Sequence, residues 1–173
     1  MQTLVSREIS PSDAAVLSFG TINGGFASNI IAPEVELTGT VRSYLPEVRE
    51  KMIRRIEEIA IGVGKALRCE VKFEVVYSCP AVVNNADMTK LVWQSATTTL
   101  GEEKVVETPP IMGSDDMSLF LQAAPGCYLF VGSGKTDGTS APHHHPGFDL
   151  VEDCLPIGSR VLTQSVLDYL NRN

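Results

Sequence analysis

The sequence has few of the residues that would mark a compartment or a site. Only 3 of its 173 residues are histidine, and its 4 cysteines, Cys69, Cys79, Cys127 and Cys154, form no Cys-x-x-Cys pair. This spacing is typical of buried free thiols in a reducing cytoplasm rather than of a disulfide framework or a zinc ribbon. No run approaches the ~18 apolar residues of a membrane span, and residues 1–10 show no secretory signal pattern.

Basic residues are also in the minority. The chain has 14 Lys and Arg against 21 Asp and Glu, for a net charge of −7. This balance argues against nucleic acid or an anionic membrane as the main partner. Hydrophobic residues make up 43% and charged residues 20%, so a packed core is expected in one domain or two small ones.

The first half of the chain predicts a small α/β unit. Residues 1–8 read as the end of a helix, and residues 46–68 carry apolar residues at helical spacing, namely Val48, Met52, Ile56, Ile59 and Val63. Three stretches are rich in β-branched residues or alternate as strands do: 14–22, 34–44 and 70–78. Strand, strand, helix and strand form a split β-α-β arrangement that lacks its first strand and first helix. That sheet would keep an open edge, which predicts dimerisation or aggregation.

The second half predicts helices alternating with short strands, which indicates an α/β layer. One helix is expected to open at Ser114 with two aspartates in its first turn, and the last is expected to start near Pro156. The predicted helices are 86–101, 114–124 and the C-terminal one, and the predicted strands are 104–108 and 126–134.

All three histidines, His143 to His145, lie in one loop between two prolines. They indicate either polar residues of an exposed loop or part of a metal site. A complete zinc site needs three or four ligands, and the side chains of adjacent loop residues point in different directions, so these three cannot all bind one ion. The nearby Gly134-Lys135-Thr136 is not a phosphate loop, because Leu129 stands where that motif needs glycine. Cys154 is more simply an inert thiol than a nucleophile paired with His144.

Three segments in series carry a family resemblance: "FGTINGGFASNIIAPEVELTGTVRSY", "MGSDDMSLFLQAAPGCYLFVGSG" and "HHHPGFDLVEDCL". Together they resemble the C-terminal portion of the amidohydrolase branch of the aminoacylase/carboxypeptidase metallopeptidase family. The resemblance implies an α/β (α+β) fold in which a ferredoxin-like lid, also the dimer interface, interrupts a metal-binding catalytic domain. Residues 1–82 would then be a partial lid and residues 83–173 the C-terminal part of the catalytic domain.

The resemblance also assigns roles to five residues. His144 matches the late metal-ligating histidine, Asn29 and Arg42 match the groups that hold the substrate carboxylate, and Gly113 and Ser114 match a loop that approaches the substrate. A guanidinium suits a carboxylate because its planar fork binds both oxygens. Without the resemblance, Arg42 reads as a solvated strand residue. The family's two divalent ions, zinc or manganese, would require further ligands and a general base that lie upstream in relatives, so no catalytic residue is assigned in this chain.

These observations lead to one main hypothesis and two alternatives. The main one is the C-terminal part of a metal-dependent amidohydrolase, homodimeric through its lid, that cleaves N-acyl amino acids with metal-activated water and is inactive as this chain alone. The first alternative is a non-catalytic dimerising or binding module derived from such an enzyme. The second is a self-contained metal-binding protein that uses the histidine cluster.

Overall fold

The computed structural model describes residues 1–76 and 79–172. The chain divides into two compact units, one of Met1–Ala81 with Ile111–Asp115 and one of Val82–Pro110 with the chain from Asp116 onward. The identification of a lid part over 1–82 and a catalytic part over 83–173 stays a prediction. No helix in the described ranges is long and apolar enough to cross a membrane.

The first unit contains two helices and a two-stranded sheet. In chain order they are α1 (Thr3–Glu8), β1 (Ala15–Gly24), β2 (Val35–Ser43) and α2 (Pro46–Leu67), and each lies where the sequence predicts it. The strands are antiparallel, with Leu17 opposite Val41 and a bulge between Phe19 and Thr21.

The core of the first unit forms where the buried stripe of α2 meets α1 and the sheet. Val48, Met52 and Ile56 recur at helical spacing and are buried together with Leu4 and Leu17. Met52 and Leu4 are fully inaccessible to solvent, so this is a dry apolar cluster. Arg55 of α2 also binds the carboxylate of Glu8 through Nε at 2.7 Å and Nη2 at 3.0 Å, which fixes the end of α1.

The buried apolar face predicted for α2 does not extend to the C-terminal end of the helix. Ile59 is only half-buried and Val63 is 54% exposed, whereas Gly64 is buried. The cause is a close approach of the following chain: a Cβ atom added to Gly64 would lie 2.3 Å from Cγ2 of Val71 and 3.1 Å from the Cys69 carbonyl oxygen. Helix α2 thus has a glycine, Gly64, where the chain at residues 69–71 packs against it.

Arg68 ends α2 in a left-handed conformation, with φ of 60°. Its backbone N–H bonds the carbonyls of Gly64 and Lys65, and the N–H of Cys69 bonds the Gly64 carbonyl at 2.8 Å. Glycine is the usual residue at this position because it carries no Cβ. The chain therefore leaves the helix through a fixed but strained turn.

The strand predicted over 70–78 is wrong for residues 70–76, which have no regular secondary structure assigned, and residues 77–78 lie outside the described residues. The alternation itself is present. Val71 and Phe73 are half-buried, and Phe73 packs against the core, whereas Glu70, Lys72 and Glu74 are exposed. This period of two is that of an extended chain. A strand also requires a hydrogen-bonded neighbour, and the sheet in the described ranges has only β1 and β2.

The second unit contains α3 (Ala86–Leu100), α4 (Met117–Ala123) and α5 (Cys154–Leu170), with a short 3₁₀ turn at Glu102–Lys104. The helix predicted over 86–101 is confirmed with Gly101 at its end. The strands predicted at 104–108 and 126–134 are not formed in this part of the chain, since neither stretch has a paired neighbour.

The two later helices differ from prediction at their starts. Helix α4 is preceded by Asp116, so the prediction that it opens at Ser114 is wrong, and Ser114 lies in a stretch, 111–115, that belongs to the first unit. Helix α5 starts at Cys154, which leaves Pro156 in its first turn, where the missing N–H costs no helical bond. Cys69 is exposed and the other three cysteines are half-buried, so the prediction of buried thiols is wrong.

Helices α3 and α5 pack through a small buried polar network. Ser95 is fully buried, and its hydroxyl lies 3.0 Å from the Leu91 carbonyl and 2.5 Å from Oδ2 of Asp168. Gln164 donates to the other carboxylate oxygen at 2.8 Å. Donation from Ser95, and then from Gln164, holds the pKa of Asp168 below its ordinary value of 3.8.

The residues that lead into α3 hold the chain at 126–128. The Asn84 side chain donates to the Tyr128 carbonyl at 2.9 Å and accepts from the Tyr128 N–H at 2.8 Å. The N–H of Asn85 donates to the Gly126 carbonyl at 2.9 Å, while the Asn85 side chain accepts from two amides of the first turn of α3. Two consecutive asparagines therefore cap the helix and fix a distant segment.

Candidate functional site

The histidine loop consists of two successive turns in the second unit. The His145 N–H donates to the Pro142 carbonyl at 3.1 Å, and the Phe148 N–H donates to the His145 carbonyl at 2.9 Å. Between them His144 adopts a left-handed backbone conformation with φ of 67°. Few non-glycine residues adopt this conformation, and histidine is among the more frequent ones.

The three imidazoles have different surroundings. His143 packs edge-on against Phe148, with ring centroids 4.8 Å apart. Nδ1 of His145 accepts the Gly147 N–H at 3.0 Å, so that nitrogen is already engaged. His144 is exposed, and no hydrogen bond ties its ring within the described ranges. His143 and His145 are exposed as well, so His144 differs from them only in that its ring has no described contact, and its role as a metal ligand stays a prediction.

The donor set does not form a metal centre by itself. Among residues 1–76 and 79–172, no three His, Cys, Asp or Glu side chains come together closely enough to hold an ion. Protein zinc sites use three or four such ligands. The residues that the structure describes therefore do not by themselves fit a complete metal site.

Arg42 occupies a more constrained position than a solvated strand residue would. It is half-buried on β2, and its Nη1 donates to the carbonyl of Met112, 70 residues later. Residues 111–115, which include Gly113 and Ser114, belong to the same unit as β2. The structure thus brings Arg42 together with the loop that the sequence assigns to substrate approach.

This arrangement leaves most of the guanidinium available. An arginine side chain has five N–H donors, and the Met112 carbonyl engages Nη1. Gly113 and Ser114 are exposed, so the loop presents backbone at the surface beside a positively charged group. Such a combination of a fixed cation and accessible backbone is suited to a small anionic ligand.

The remaining predicted residue, Asn29, is exposed in the connection between β1 and β2, next to a turn in which the Ile30 N–H bonds the Ala27 carbonyl. It lies in the same unit as Arg42, but no described hydrogen bond joins the two. His144 belongs to the other unit. Sequence reasoning missed Met112, because a backbone carbonyl that positions a side chain leaves no residue pattern to detect.

Comparisons with known proteins agree on one family over most of the chain. The profile of peptidase family M20/M25/M40 matches residues 10–168. Thermostable carboxypeptidase 2 of Saccharolobus solfataricus is 37% identical over 174 residues, and IAA-amino acid hydrolase ILR1-like 2 of Arabidopsis thaliana is 30% identical over 174 residues. Each match covers 98% of this chain, but only 43% and 39% of the respective relative.

A solved structure resembles most of the chain. The Bacillus subtilis YXEP protein, a dinuclear metal binding peptidase from the M20 family, superposes with a TM-score of 0.76 at 24% identity. The match covers 92% of this chain and 43% of that one. This likeness confirms the predicted mixed α/β (α+β) fold class. The chain spans about two fifths of the length of the proteins that it resembles.

Proposed function

The chain belongs to the peptidase family M20/M25/M40, a family of hydrolases, and from that membership we propose that it supplies the carboxylate-binding part of a metal-dependent amidohydrolase acting on N-acyl amino acids. Membership confirms the family resemblance seen in the sequence. The substrate, the metal and the roles of individual residues are parts of the proposal.

The observation that carries the proposal is the position of Arg42. Its Nη1 donates to the carbonyl of Met112, the residue before Gly113, and a fixed guanidinium binds a carboxylate through two parallel hydrogen bonds. An N-acyl amino acid carries a free carboxylate next to the amide bond that is cleaved. The names of the two relatives, a carboxypeptidase and an IAA-amino acid hydrolase, both denote enzymes whose substrates have such a carboxylate. Asn29 is proposed to contact the same end of the substrate.

His144 is proposed to supply one ligand to a site for two divalent ions, zinc or manganese. The dinuclear metal binding of the YXEP peptidase, which shares this fold, supports a two-ion site. Because the donor set of these residues does not fit a complete site, the 173-residue chain by itself is expected to be catalytically inactive.

The first unit is proposed to form a homodimer. On the sheet face that packs against α2 near Leu17 and Val41, the distal half stays uncovered: Phe19, Ile22, Val35 and Leu37 are 39%, 71%, 52% and 53% exposed. An apolar face of this kind favours a protein partner over solvent. The same observation favours the alternative, a non-catalytic dimerising module. A cytoplasmic location is part of the proposal and rests on the wide spacing of the four cysteines in the sequence.

Activity assays with N-acetyl and hippuryl amino acids test the proposal. The purified chain with Zn²⁺ or Mn²⁺ is expected to show no turnover, and adding the part of the Saccharolobus carboxypeptidase that it does not match is expected to produce turnover. Metal-dependent turnover by the chain alone would contradict the proposal that this chain lacks part of the metal site. A stable dimer without complementation would instead identify the non-catalytic module.

The role of Arg42 is tested in the complemented enzyme by comparing hippuryl amino acids with their C-terminal amides. Arg42→Lys keeps the positive charge but loses the planar guanidinium that binds both carboxylate oxygens. The KM for the free acid should therefore rise while the KM for the amide stays unchanged. Equal effects on the two substrates would show that Arg42 does not bind the carboxylate.

A further inference from the structure

The face of the β1–β2 sheet that carries Arg42 is lined by hydroxyl groups, and we propose that Ser18 and Thr40 bind the side chain of the substrate amino acid. The substrate class that fits is an N-acyl amino acid with a neutral, hydrogen-bonding side chain, such as serine or asparagine. This inference rests on the proposed function, because Arg42 holds the carboxylate of the same substrate. It names two residues that determine which amino acid is preferred.

The strand register places both residues beside Arg42. Successive residues of a strand point to opposite faces, and Val41 belongs to the face that packs against the core. Arg42 and Thr40 therefore point to the other face, about 7 Å apart along a strand that rises ~3.4 Å per residue. In β1, Ser18 lies directly opposite Thr40. The pair of hydroxyls is thus the next cross-strand pair after Arg42 on this face.

The two hydroxyl pairs of this face differ in their bonding. Farther from Arg42, the hydroxyls of Thr21 and Thr38 are hydrogen-bonded to each other. Nearer to it, Ser18 and Thr40 are exposed, and neither hydroxyl has a partner among the described residues. A hydroxyl offers one donor and two acceptor sites. The nearer pair can therefore bind a polar group of a ligand without giving up a described bond.

Arg42 fixes where a ligand lies on this face. Its side chain is half-buried, and Nη1 donates to the Met112 carbonyl, so its remaining N–H groups define the position of a bound carboxylate. The side chain of an amino acid branches from the carbon next to the carboxylate. It therefore begins beside the guanidinium, and Ser18 and Thr40 are the first polar pair that it meets along the sheet.

Other kinds of side chain find less on this face. Val16, which lies opposite Arg42 and is 36% exposed, is its apolar residue in the described strands, while Phe19 and Ile22 point to the other face. An apolar side chain would leave the hydroxyls unpaired at the contact, which favours a ligand that can pair with them. An acidic side chain would meet no second cation on this face of the described strands. A neutral polar side chain is therefore favoured.

Two ligands of nearly equal shape test the inference on the 173-residue chain itself. N-acetyl-L-asparagine and N-acetyl-L-leucine have side chains with the same branching, but only the first forms hydrogen bonds through it. Titrations of the ¹⁵N-labelled chain followed by NMR measure both dissociation constants. The asparagine ligand is expected to bind about three- to tenfold more tightly, as one net hydrogen bond would provide.

Three variants assign this ratio to its cause. Thr40→Val exchanges the hydroxyl for a methyl group and keeps the β-branched shape that suits a strand, so the ratio of the two dissociation constants should fall close to one. Ser18→Ala should also lower it. Thr38→Val is the matched control, because it makes the same exchange two residues away on the same face, at a hydroxyl already paired with Thr21. It should leave the ratio unchanged.

Equal dissociation constants for the two ligands in the original chain would overturn the inference, and so would an equal loss of the ratio in Thr40→Val and Thr38→Val. The C-terminal amides of both ligands separate this result from a failure of the proposed function. If the free acids bind more tightly than the amides whatever their side chain, Arg42 keeps its role and only Ser18 and Thr40 lose theirs. If neither acid binds, the inference and the carboxylate role of Arg42 both fail, while the complementation assay still tests the activity.

Discussion

Adding one methyl group at two glycines of α2 should change stability in opposite directions. Gly62 is exposed, and a Cβ there would meet no atom within 4 Å. Replacing glycine by alanine in a helix interior gains about 0.5–1 kcal/mol, because glycine loses more backbone freedom on folding. Gly62→Ala should therefore stabilise the chain by that amount.

Gly64→Ala gains the same propensity term but creates a clash. The new Cβ would lie 2.3 Å from Cγ2 of Val71 and 3.1 Å from the Cys69 carbonyl. Valine is stiff about χ1, so the backbone of residues 69–71 must move. Such overpacking typically costs ~1–3 kcal/mol. We expect the free energy of unfolding of Gly64→Ala to fall about 1–3 kcal/mol below that of Gly62→Ala.

Thermal and urea unfolding followed by circular dichroism measure this difference. For a chain of this size, about 1 kcal/mol corresponds to ~2–4 °C in Tm, so the two variants should differ by at least about 2 °C. Hydrogen exchange of the amides of residues 69–76 should accelerate only in Gly64→Ala. If both variants raise Tm equally, the contact between Val71 and α2 does not exist as described.

Two other predictions concern Asp168 and Arg68. The pKa of Asp168 is lowered in the folded chain, so its carboxylate contributes stability above the ordinary pKa of 3.8 that is lost as pH falls through the lowered value. Ser95→Ala should reduce this loss of stability in urea titrations between neutral and acidic pH, and an unchanged pH profile would exclude the hydrogen bond as its cause. Arg68→Gly should raise the free energy of unfolding by about 1 kcal/mol, because glycine adopts φ of 60° without strain; Arg68→Ala, which keeps the strain, should not.

The elements predicted correctly from the sequence are those that depend on residues close to them along the chain. Helix α2 carries its own apolar stripe, α3 carries its cap at Asn85, and β1 and β2 pair through a single connection. The stretches 70–76, 104–108 and 126–134 have equally suggestive compositions, yet none is paired in the described part of the chain. Alternation shows which side chains face a core; it does not show whether a neighbouring strand is present.

The candidate site was predictable only in its residue types. A histidine between prolines and an arginine on an alternating strand are visible in the sequence, but all three histidines are exposed, so exposure does not single out His144. The contact that fixes Arg42 joins residues 70 positions apart through a backbone carbonyl. Nothing in the pattern around Met112 marks it, because every residue offers the same carbonyl whatever its side chain.

The paired hydrogen bonds between Asn84 and Tyr128 have a consequence for how this chain can vary. There a side-chain amide does what a peptide group does in a sheet, offering one donor and one acceptor to the same residue. A ladder of backbone bonds tolerates almost any side chain, so its sequence can drift. The two bonds between the Asn84 side chain and Tyr128 depend on that one side chain, so they do not tolerate substitution. Aspartate at position 84 would set a carboxylate against the Tyr128 carbonyl, and glutamine would be one methylene too long. Position 84 should therefore accept few substitutions over evolutionary time, although its side chain is exposed and takes no part in the candidate site.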